Sequence, residues 1–392
     1  MLGLPEMQGK EDFLAATDYR EAPSLDHIIR PFKEAIQGNR HLLMLLDRSI
    51  EESKLTKYPV AFKNLDELCS LLNTITQNAL PYSEGSYTAG PFVTLFEPLA
   101  NTNSGRSLFN ETEFNRQIRD LLDGWALYLN SDESAAYLNT EAPTGWFCEA
   151  AAKKIDLEAW EHDKSKPHYG FHSWNMFFER RIAPGARPIA APDDNTVVAA
   201  PCESMLQRYE SDVASKATFW IKEQPYSIED MLDCSPANAE RYVGGSCVQG
   251  WLSSTNYHRW HSPVNGVVKS IRLIENTYLT VSPEIDSPSM TKSMAYLSHL
   301  ATRSLIEIES EAGHRVMMVF VGVAEVSSCK PTVREGQSVK KGSEIGTFSY
   351  GGSSYVMLWE KGANFKLTKE ASSMLGDKKK TQLVRGQLGT ID

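Results

Sequence analysis

Residues 350–354, YGGSS, place a serine directly after two glycines. Glycine lacks a Cβ, so its backbone reaches conformations that other residues avoid. Ser353 can therefore turn its hydroxyl onto the carbonyl of Gly352, and a serine hydroxyl becomes a nucleophile when a neighbouring base activates it. Glycine pairs before serine are common in ordinary turns, and a plain loop is the alternative interpretation.

Residues 256–266, NYHRWHSPVNG, carry His258 and His261 three positions apart. Imidazole exchanges protons near neutral pH, so such a pair is a candidate for general acid–base chemistry. A zinc site would need a third ligand, and no Cys or Glu stands at a recognisable spacing, so we predict no metal site. The alternative is a pair of structural histidines in a strand-to-turn segment.

The segment Pro201-Cys202-Glu203-Ser204 follows an apolar run at residues 196–200. A carboxylate at the end of a strand can orient a histidine, as it does in triads of acid, base and nucleophile. Glu203 is therefore the candidate acid of the site. An ordinary surface glutamate is the alternative.

The elements that must position these groups differ along the chain. In the first part, Asn64 followed by Glu67 is a helix-start signal, with apolar residues at helical spacing behind it. A second start signal at residues 110–113 precedes an apolar stripe across residues 114–129. These patterns predict helices that pack a core.

After about residue 150 the signals favour strands, with one short helix at residues 173–181. Apolar or alternating runs occur at residues 196–200, 266–273 and 316–326, and residues 334–342 predict a hairpin with two glycine turns. We therefore predict an α+β fold. A helical N-terminal domain at residues 1–150 is followed by a β-rich antiparallel catalytic domain at residues 151–392.

Composition limits the class of protein. The 392 residues are 41% hydrophobic and 23% charged, as in an ordinary globular protein, and a net charge of −10 argues against nucleic-acid binding. The six cysteines form no C-x-x-C pair, so we expect reduced thiols and a cytoplasmic location. We find neither a secretory signal nor a run of about 18 apolar residues, and we expect no integral membrane segment.

Five segments, taken in order, resemble signatures of the phosphatidylserine decarboxylase family. Residues 177–189, FFERRIAPGARPI, are similar to F-F-x-R-x-L-x-P-G-x-R-P-I, and residues 257–266 to Y-H-R-x-H-x-P-x-x-G. Residues 319–324 and 340–348 resemble the V-L-V-G-A strand and the K-K-G-x-E-x-G-x-F segment of the family. Residues 351–354 resemble its G-S-T processing site in a glycine-doubled variant. The resemblance covers a little over half of the chain.

The resemblance implies a chain that cuts itself. By that similarity Ser353 attacks the carbonyl of Gly352, which separates a β chain of residues 1–352 from an α chain of residues 353–392, and the two fragments stay associated. Ser353 is converted into a covalent pyruvoyl group. This group does the work of pyridoxal phosphate, and we expect no pyridoxal phosphate.

The resemblance also implies roles for the candidate residues. His258 is the base that takes the proton of Ser353, and Glu203 orients that base. His261 serves the decarboxylation step by handling the proton that returns to the carbanion. The family usually carries aspartate in a P-A-D-G motif where this chain has P-C-E-S, so the extra methylene of Glu203 shifts the local geometry.

The substrate follows from a narrower resemblance. Residues 124–129, 145–146 and 169–171 are similar to the helical N-terminal domain of fungal phosphatidylserine-decarboxylase-like enzymes, a subgroup that includes tryptophan decarboxylases. This implies a free, aromatic L-amino acid, with L-tryptophan converted to tryptamine through an imine with the pyruvoyl group. Ser354, where the lipid enzymes generally carry threonine, favours the same choice. The alternative is phosphatidylserine, converted to phosphatidylethanolamine.

Two interpretations without catalysis stay open. Residues 334–346 resemble the glycine-turn hairpins of lipoyl- and biotinyl-carrier domains, although no acceptor lysine stands in a Met-Lys-Met or Asp-Lys-Ala setting. The other is a family member that never cleaves itself. The sequence predicts neither the oligomeric state nor the residues of the substrate pocket.

Overall fold

The computed structural model describes residues 27–56, 59–83, 90–215, 227–278, 294–323, 328–349 and 353–392. Backbone packing divides the chain into two compact units. The first consists of Met1–Glu158, His162–Phe178 and Thr277–Pro288, and the second of Ala159–Glu161, Glu179–Asn276 and Ser289–Asp392. The predicted domain bounds, residues 1–150 and 151–392, stay a prediction.

The first unit is built of helices. Their bounds are α1 Ile29–Gly38, α2 Arg40–Ser53, α3 Leu65–Thr76, α4 Pro91–Ala100, α5 Asn103–Asn110, α6 Thr112–Leu129, α7 Glu149–Lys154 and α8 Trp174–Phe178, with 3₁₀ turns at Asp132–Ala135 and Pro167–Gly170. The predicted start of α3 is confirmed. The side chain of Asn64 accepts the N–H of Glu67 at 2.9 Å, and Glu67 Oε2 accepts the N–H of Lys63 at 2.9 Å. This cap satisfies backbone donors that the first helical turn leaves open.

Helix α6 carries the second predicted apolar stripe, and its buried side chains include Phe114, Leu121 and Trp125. The helix is confirmed, but its predicted start at Asn110 is wrong. Asn110 is the last residue of α5, and the extended residue Glu111 separates the two helices. Within the described ranges, no helix is both long enough and apolar enough to cross a membrane.

Antiparallel strands dominate the second unit. Their bounds are β1 Val197–Ala199, β2 Met205–Ser211, β3 Ser246–Leu252, β4 Arg259–His261, β5 Gly266–Ile274, β6 Arg303–Ser310, β7 Arg315–Gly322, β8 Ser328–Pro331, β9 Ser338–Val339, β10 Glu344–Ser349, β11 Ser353–Trp359, β12 Lys366–Leu367 and β13 Gln387–Thr390. Its helices are α9 Ile228–Leu232, α10 Pro236–Ala239, α11 Met294–Leu300 and α12 Lys369–Ser372, with 3₁₀ turns at Glu240–Tyr242 and Lys361–Ala363.

These strands form three sheets. The largest has the order β2-β3-β11-β7-β6-β5-β9, and the two others have the orders β1-β13-β12 and β4-β10-β8. The strand pairs described within these sheets are antiparallel. Helices in the first unit and antiparallel sheets in the second confirm the predicted α+β fold class.

Two predicted elements are shorter than their sequence patterns. The helix predicted at residues 173–181 spans Trp174–Phe178. The run at residues 316–326 contains β7, which ends at Gly322, and residues 324–327 lie outside the described part of the chain.

The hairpin predicted at residues 334–342 is wrong. Its two glycine turns are present, with φ of +79° at Gly336 and +76° at Gly342. The strand between them, β9, is two residues long and pairs with Gly266 and Val267 of β5 instead of a neighbour in the segment. Two residues offer too few backbone groups for a hairpin of their own, so pairing with a distant strand prevails.

The core of the second unit fixes β4 against β7. Trp260 stacks on Phe320 with ring centroids 3.8 Å apart. Gly346, opposite Trp260 in β10, leaves the indole its space, because a Cβ there would lie 2.2 Å from the ring. Phe320 in turn lies beside Tyr355 of β11. The strand that carries the two histidines is thereby held against the strand pair β7–β11.

Candidate active site

Ser353 is the first residue of β11, between Leu252 of β3 and Gly322 of β7. Its side chain is fully buried, and its Oγ makes no hydrogen bond within the described part of the chain. Buried hydroxyls are normally satisfied, so an orphaned one needs an explanation. The next residue, Ser354, differs: its Oγ donates to the Gly250 carbonyl at 3.1 Å and accepts from the Gln249 amide at 3.1 Å.

His258 directly precedes β4 and is fully buried. Its carbonyl accepts the N–H of Phe348 at 2.9 Å, near the end of β10. Strand β10 ends at Ser349, four positions before Ser353. The His258 segment is therefore paired with β10, the strand that precedes Ser353 in the chain, and the stack of Trp260 on Phe320 holds it against β7.

The pKa of His258 lies well below its ordinary value, first because of burial and second because of the Arg180 charge. The ring is therefore neutral around pH 7 and can accept a proton. Arg180 is itself buried, and its Nη2 donates to the carbonyls of Thr255 at 2.7 Å and Asn256 at 2.8 Å. It thus fixes the backbone that leads into His258.

His261 ends β4, and both of its ring nitrogens have partners. Nδ1 lies 2.7 Å from the carbonyl of Gly342, and Nε2 lies 2.8 Å from the hydroxyl of Tyr257. Burial is the main reason that its pKa is lowered to about 3. The ring is neutral at physiological pH.

Glu203 is buried, with a side chain 8% exposed, and it is not a surface residue. Arg187 Nε donates to Oε2 at 2.7 Å, and Arg187 Nη2 donates to Oε1 at 3.1 Å. The N–H of His261 donates to the Pro201 carbonyl at 2.8 Å, so the segment before Glu203 runs beside the end of β4. The predicted contact of Glu203 with His258 stays a prediction.

Gly352 and the two residues before it lie outside the described part of the chain. The structure describes the side chain just before them: Ser349 Oγ donates to the carboxylate of Glu179. Across the described ranges, no group of three or more His, Cys, Asp or Glu side chains is arranged to hold a metal ion.

Sequence reasoning missed the supporting residues of this site. Arg180 and Arg187 lie in residues 177–189, the segment that resembles the first family signature, but their partners lie 75 and 16 residues away along the chain. Trp160 carried no signal at all, yet it stacks on Tyr257 with centroids 5.0 Å apart and planes 4° from parallel.

Comparison with known proteins identifies the family. A sequence model described as phosphatidylserine decarboxylase matches residues 174–380, and a second model with that description matches residues 26–155. The chain is similar to "Decarboxylase iboD" of Amanita muscaria, at 38% identity over 69% of this chain and 83% of that protein. It is also similar to the L-tryptophan decarboxylase of Psilocybe cubensis, at 33% identity over 75% of this chain and 72% of that protein.

A further relative is phosphatidylserine decarboxylase proenzyme 3 of Schizosaccharomyces pombe, at 39% identity over 50% of this chain and 19% of that protein. The first family model spans more than half of the chain, and the Amanita muscaria and Psilocybe cubensis relatives match over more than two thirds of their length. The family and the enzyme class implied by the sequence motifs are thus confirmed. The chain is a carboxy-lyase that belongs to the phosphatidylserine decarboxylase family.

Proposed function

We propose that the chain cuts itself between Gly352 and Ser353 and then decarboxylates a free aromatic L-amino acid, with L-tryptophan as the first candidate. One observation carries the self-processing part of this proposal. The Ser353 hydroxyl is buried at the start of β11 without a hydrogen-bond partner among the described residues. His258, the base that the family motif assigns to it, is buried and its pKa is lowered, so its ring is neutral. A neutral imidazole is the base that such a hydroxyl needs.

Cleavage uses groups of the chain itself. Ser353 Oγ forms a bond to the carbonyl carbon of Gly352 as His258 takes the hydroxyl proton. The peptide C–N bond then breaks as this proton passes from His258 to the leaving nitrogen, which gives an ester and a free amine. Loss of the Ser353 Cα proton then breaks the Cβ–O bond, which leaves a carboxylate on Gly352 and dehydroalanine at position 353. Water replaces the nitrogen and ammonia leaves, so atoms and charge balance.

The site fits the pyruvoyl group that this conversion makes. The group retains the three carbons of Ser353 and loses the hydroxyl that has no described partner, so it needs no added volume. When present, it supplies a carbonyl that accepts electrons as carbon dioxide leaves the substrate. Position 353 is buried between Leu252 and Gly322, and His258 and His261 are the candidates to move protons there.

The fragments stay associated in this proposal. Strand β11 runs from Ser353 to Trp359 and pairs along that length with both β3 and β7. Its neighbours in the sheet belong to the large fragment of residues 1–352. A cut just before Ser353 therefore leaves these backbone hydrogen bonds in place.

The share of each relative's own length that matches this chain supports an amino-acid substrate. The L-tryptophan decarboxylases of Psilocybe cubensis and Psilocybe cyanescens match over 72% and 69% of their own length. The phosphatidylserine decarboxylase proenzymes of Schizosaccharomyces pombe and Oryza sativa match over 19% and 33% of theirs. The first pair therefore resembles this chain in organisation as well as in local sequence.

Phosphatidylserine is the second candidate substrate. The description of the family model that matches residues 174–380 favours it, as does the 39% identity with the Schizosaccharomyces pombe proenzyme. For location we propose the cytoplasm, because all six cysteines are free thiols, as a reducing compartment would keep them.

The test is release of carbon dioxide from L-tryptophan, L-phenylalanine and phosphatidylserine in mixed micelles, with purified enzyme. We expect release from an aromatic amino acid, and none from Ser353→Ala. Release from the lipid alone contradicts the first substrate and supports the second. Full activity in Ser353→Ala contradicts the self-processing mechanism.

A further inference from the structure

The Gly342 carbonyl and the Tyr257 hydroxyl hold the ring of His261 in one tautomer. The Gly342 carbonyl can only accept a hydrogen bond, so the nitrogen 2.7 Å away, Nδ1, carries the proton. In the neutral ring Nε2 is then an acceptor, and the Tyr257 hydroxyl at 2.8 Å donates to it. The one N–H of the ring is committed to Gly342.

Tyr257 is suited to remain the donor. Its side chain is 1% exposed, and burial raises the pKa of its hydroxyl, so the phenol keeps its proton. The charged groups that face the His261 ring are Arg385 and Arg259, and each lowers the pKa of His261 further. Arg385 Nε also donates to the Gly342 carbonyl at 3.0 Å, which fixes that acceptor.

The Tyr257 ring is in turn fixed by a buried stack. Trp160 lies parallel to it, with centroids 5.0 Å apart. The Arg187 guanidinium lies over Trp160 at 5.0 Å and forms the ion pair with Glu203. Glu203 and His261 are therefore the two ends of one contiguous series of buried contacts that runs through Arg187, Trp160 and Tyr257.

We propose that Tyr257 is a positioning residue for His261. The Tyr257 hydroxyl holds the His261 ring with Nδ1 protonated and Nε2 as the acceptor. While both bonds are made, the one ring proton stays on Nδ1 and the Nε2 lone pair accepts from Tyr257, so His261 exchanges a proton with a substrate only after one of these two bonds breaks. Tyr257 rather than a carboxylate supplies the hydrogen bond that orients this histidine. The catalytic relevance of His261 rests on the proposed function. The protonation state of its ring does not, because it can be measured in a chain that has not been cut.

The experiment follows the histidine ring nitrogens by ¹⁵N NMR in the full-length Ser353→Ala chain, with His261 assigned from its loss in His261→Asn. We expect Nδ1 protonated, Nε2 unprotonated, and no titration from about pH 8 to about pH 5, since a pKa of about 3 lies below that range. Tyr257→Phe should shift the ¹⁵N signal of the unprotonated Nε2, because that nitrogen loses its hydrogen-bond donor. A titration continued to about pH 3 should show the midpoint of His261 raised by about one pH unit, the size expected for one net hydrogen bond.

Tyr242→Phe is the matched control, because Tyr242 is also buried and its hydroxyl donates to Glu307 at 2.7 Å. It should leave the His261 signals unchanged. A protonated Nε2, titration near pH 6.5 in the parent chain, or equal behaviour of the two variants would overturn the proposal. If Tyr257→Phe does not fold, the tautomer in the parent chain still decides. A wild-type chain that stays uncut contradicts the proposed function and leaves the ring measurement valid.

Discussion

Glu203 and Arg187 form a buried, two-point ion pair, with the guanidinium nitrogens 2.7 Å and 3.1 Å from the two carboxylate oxygens. An aspartate at position 203 is one methylene shorter, so from the same backbone position its carboxylate would lie farther from the Arg187 guanidinium. The glutamate and the arginine must be tested together.

Glu203→Gln should lower the free energy of unfolding by about 3–5 kcal/mol, because it leaves the buried Arg187 charge without its partner. Urea unfolding of the Ser353→Ala chain measures the loss. The control is Glu210→Gln, which breaks the pair of Glu210 with Arg208, whose side chains are 33% and 34% exposed. That pair should contribute about 0–1 kcal/mol. Equal losses in the two variants would contradict a special role of the buried pair.

Stability should decrease as the pH falls below about 6.5, the ordinary pKa of histidine in an unfolded chain. The folded pKa values of His258 and His261 are lowered, so below that pH the unfolded chain binds protons that the folded chain does not. The stabilisation that the two neutral histidines contribute is complete above pH 6.5. It is lost as the pH falls toward their folded-state pKa values, at up to about 1.4 kcal/mol per pH unit for each ring.

Urea unfolding of the Ser353→Ala chain at several pH values measures the slope of the unfolding free energy against pH. His258→Gln should make the slope shallower, and His172→Gln, which alters an exposed histidine, should not. A parent chain whose unfolding free energy is constant between about pH 5 and pH 7 would refute the assigned neutral state of the buried rings.

Ser353→Ala and Ser354→Ala should behave differently, although the two serines are adjacent and both buried. Ser354 already uses its hydroxyl in bonds to Gly250 and Gln249, so its loss should cost stability of about 1–3 kcal/mol and leave cleavage intact. Ser353→Ala should stay uncut. A denaturing gel separates these outcomes, and an uncut Ser354→Ala protein that is folded would count against the assignment of Ser353 alone.

Arg180→Met should slow self-cleavage by roughly 100-fold, because the backbone before His258 loses the two buried hydrogen bonds that Arg180 Nη2 donates to it. Cleavage is followed on a gel after synthesis in a cell-free system. The control is Arg303→Met, since Arg303 is equally buried and donates to the carbonyls of Met231, Ala301 and Asp230. If both variants slow cleavage to the same extent, Arg180 acts through stability alone.

Local signals in the sequence predicted local structure well. The cap at Asn64 and the start of α3 depend on residues three positions apart, and the stripe of α6 depends on helical spacing. Strand partners depend on distant residues. No pattern in residues 334–342 indicated that β9 would pair with Gly266 and Val267.

The site shows the same division. The motifs indicated Ser353, His258, His261 and Glu203 as candidates, but not what holds them. Arg187, the partner of Glu203, lies 16 residues before it in the chain. Gly342, whose carbonyl accepts from His261, lies 81 residues after that histidine. Trp160, between Arg187 and Tyr257, is recognisable only once the chain is folded.

The central claim is that Ser353 becomes the reactive carbonyl of the enzyme, and the intact mass of the small fragment tests it most directly. Purified wild-type protein should contain, in place of one 43.8 kDa chain, a large fragment and a small fragment of residues 353–392. The small fragment should weigh less by one ammonia than a peptide that begins with unmodified serine. An uncut chain, or a small fragment with a plain Ser353 terminus, would contradict it.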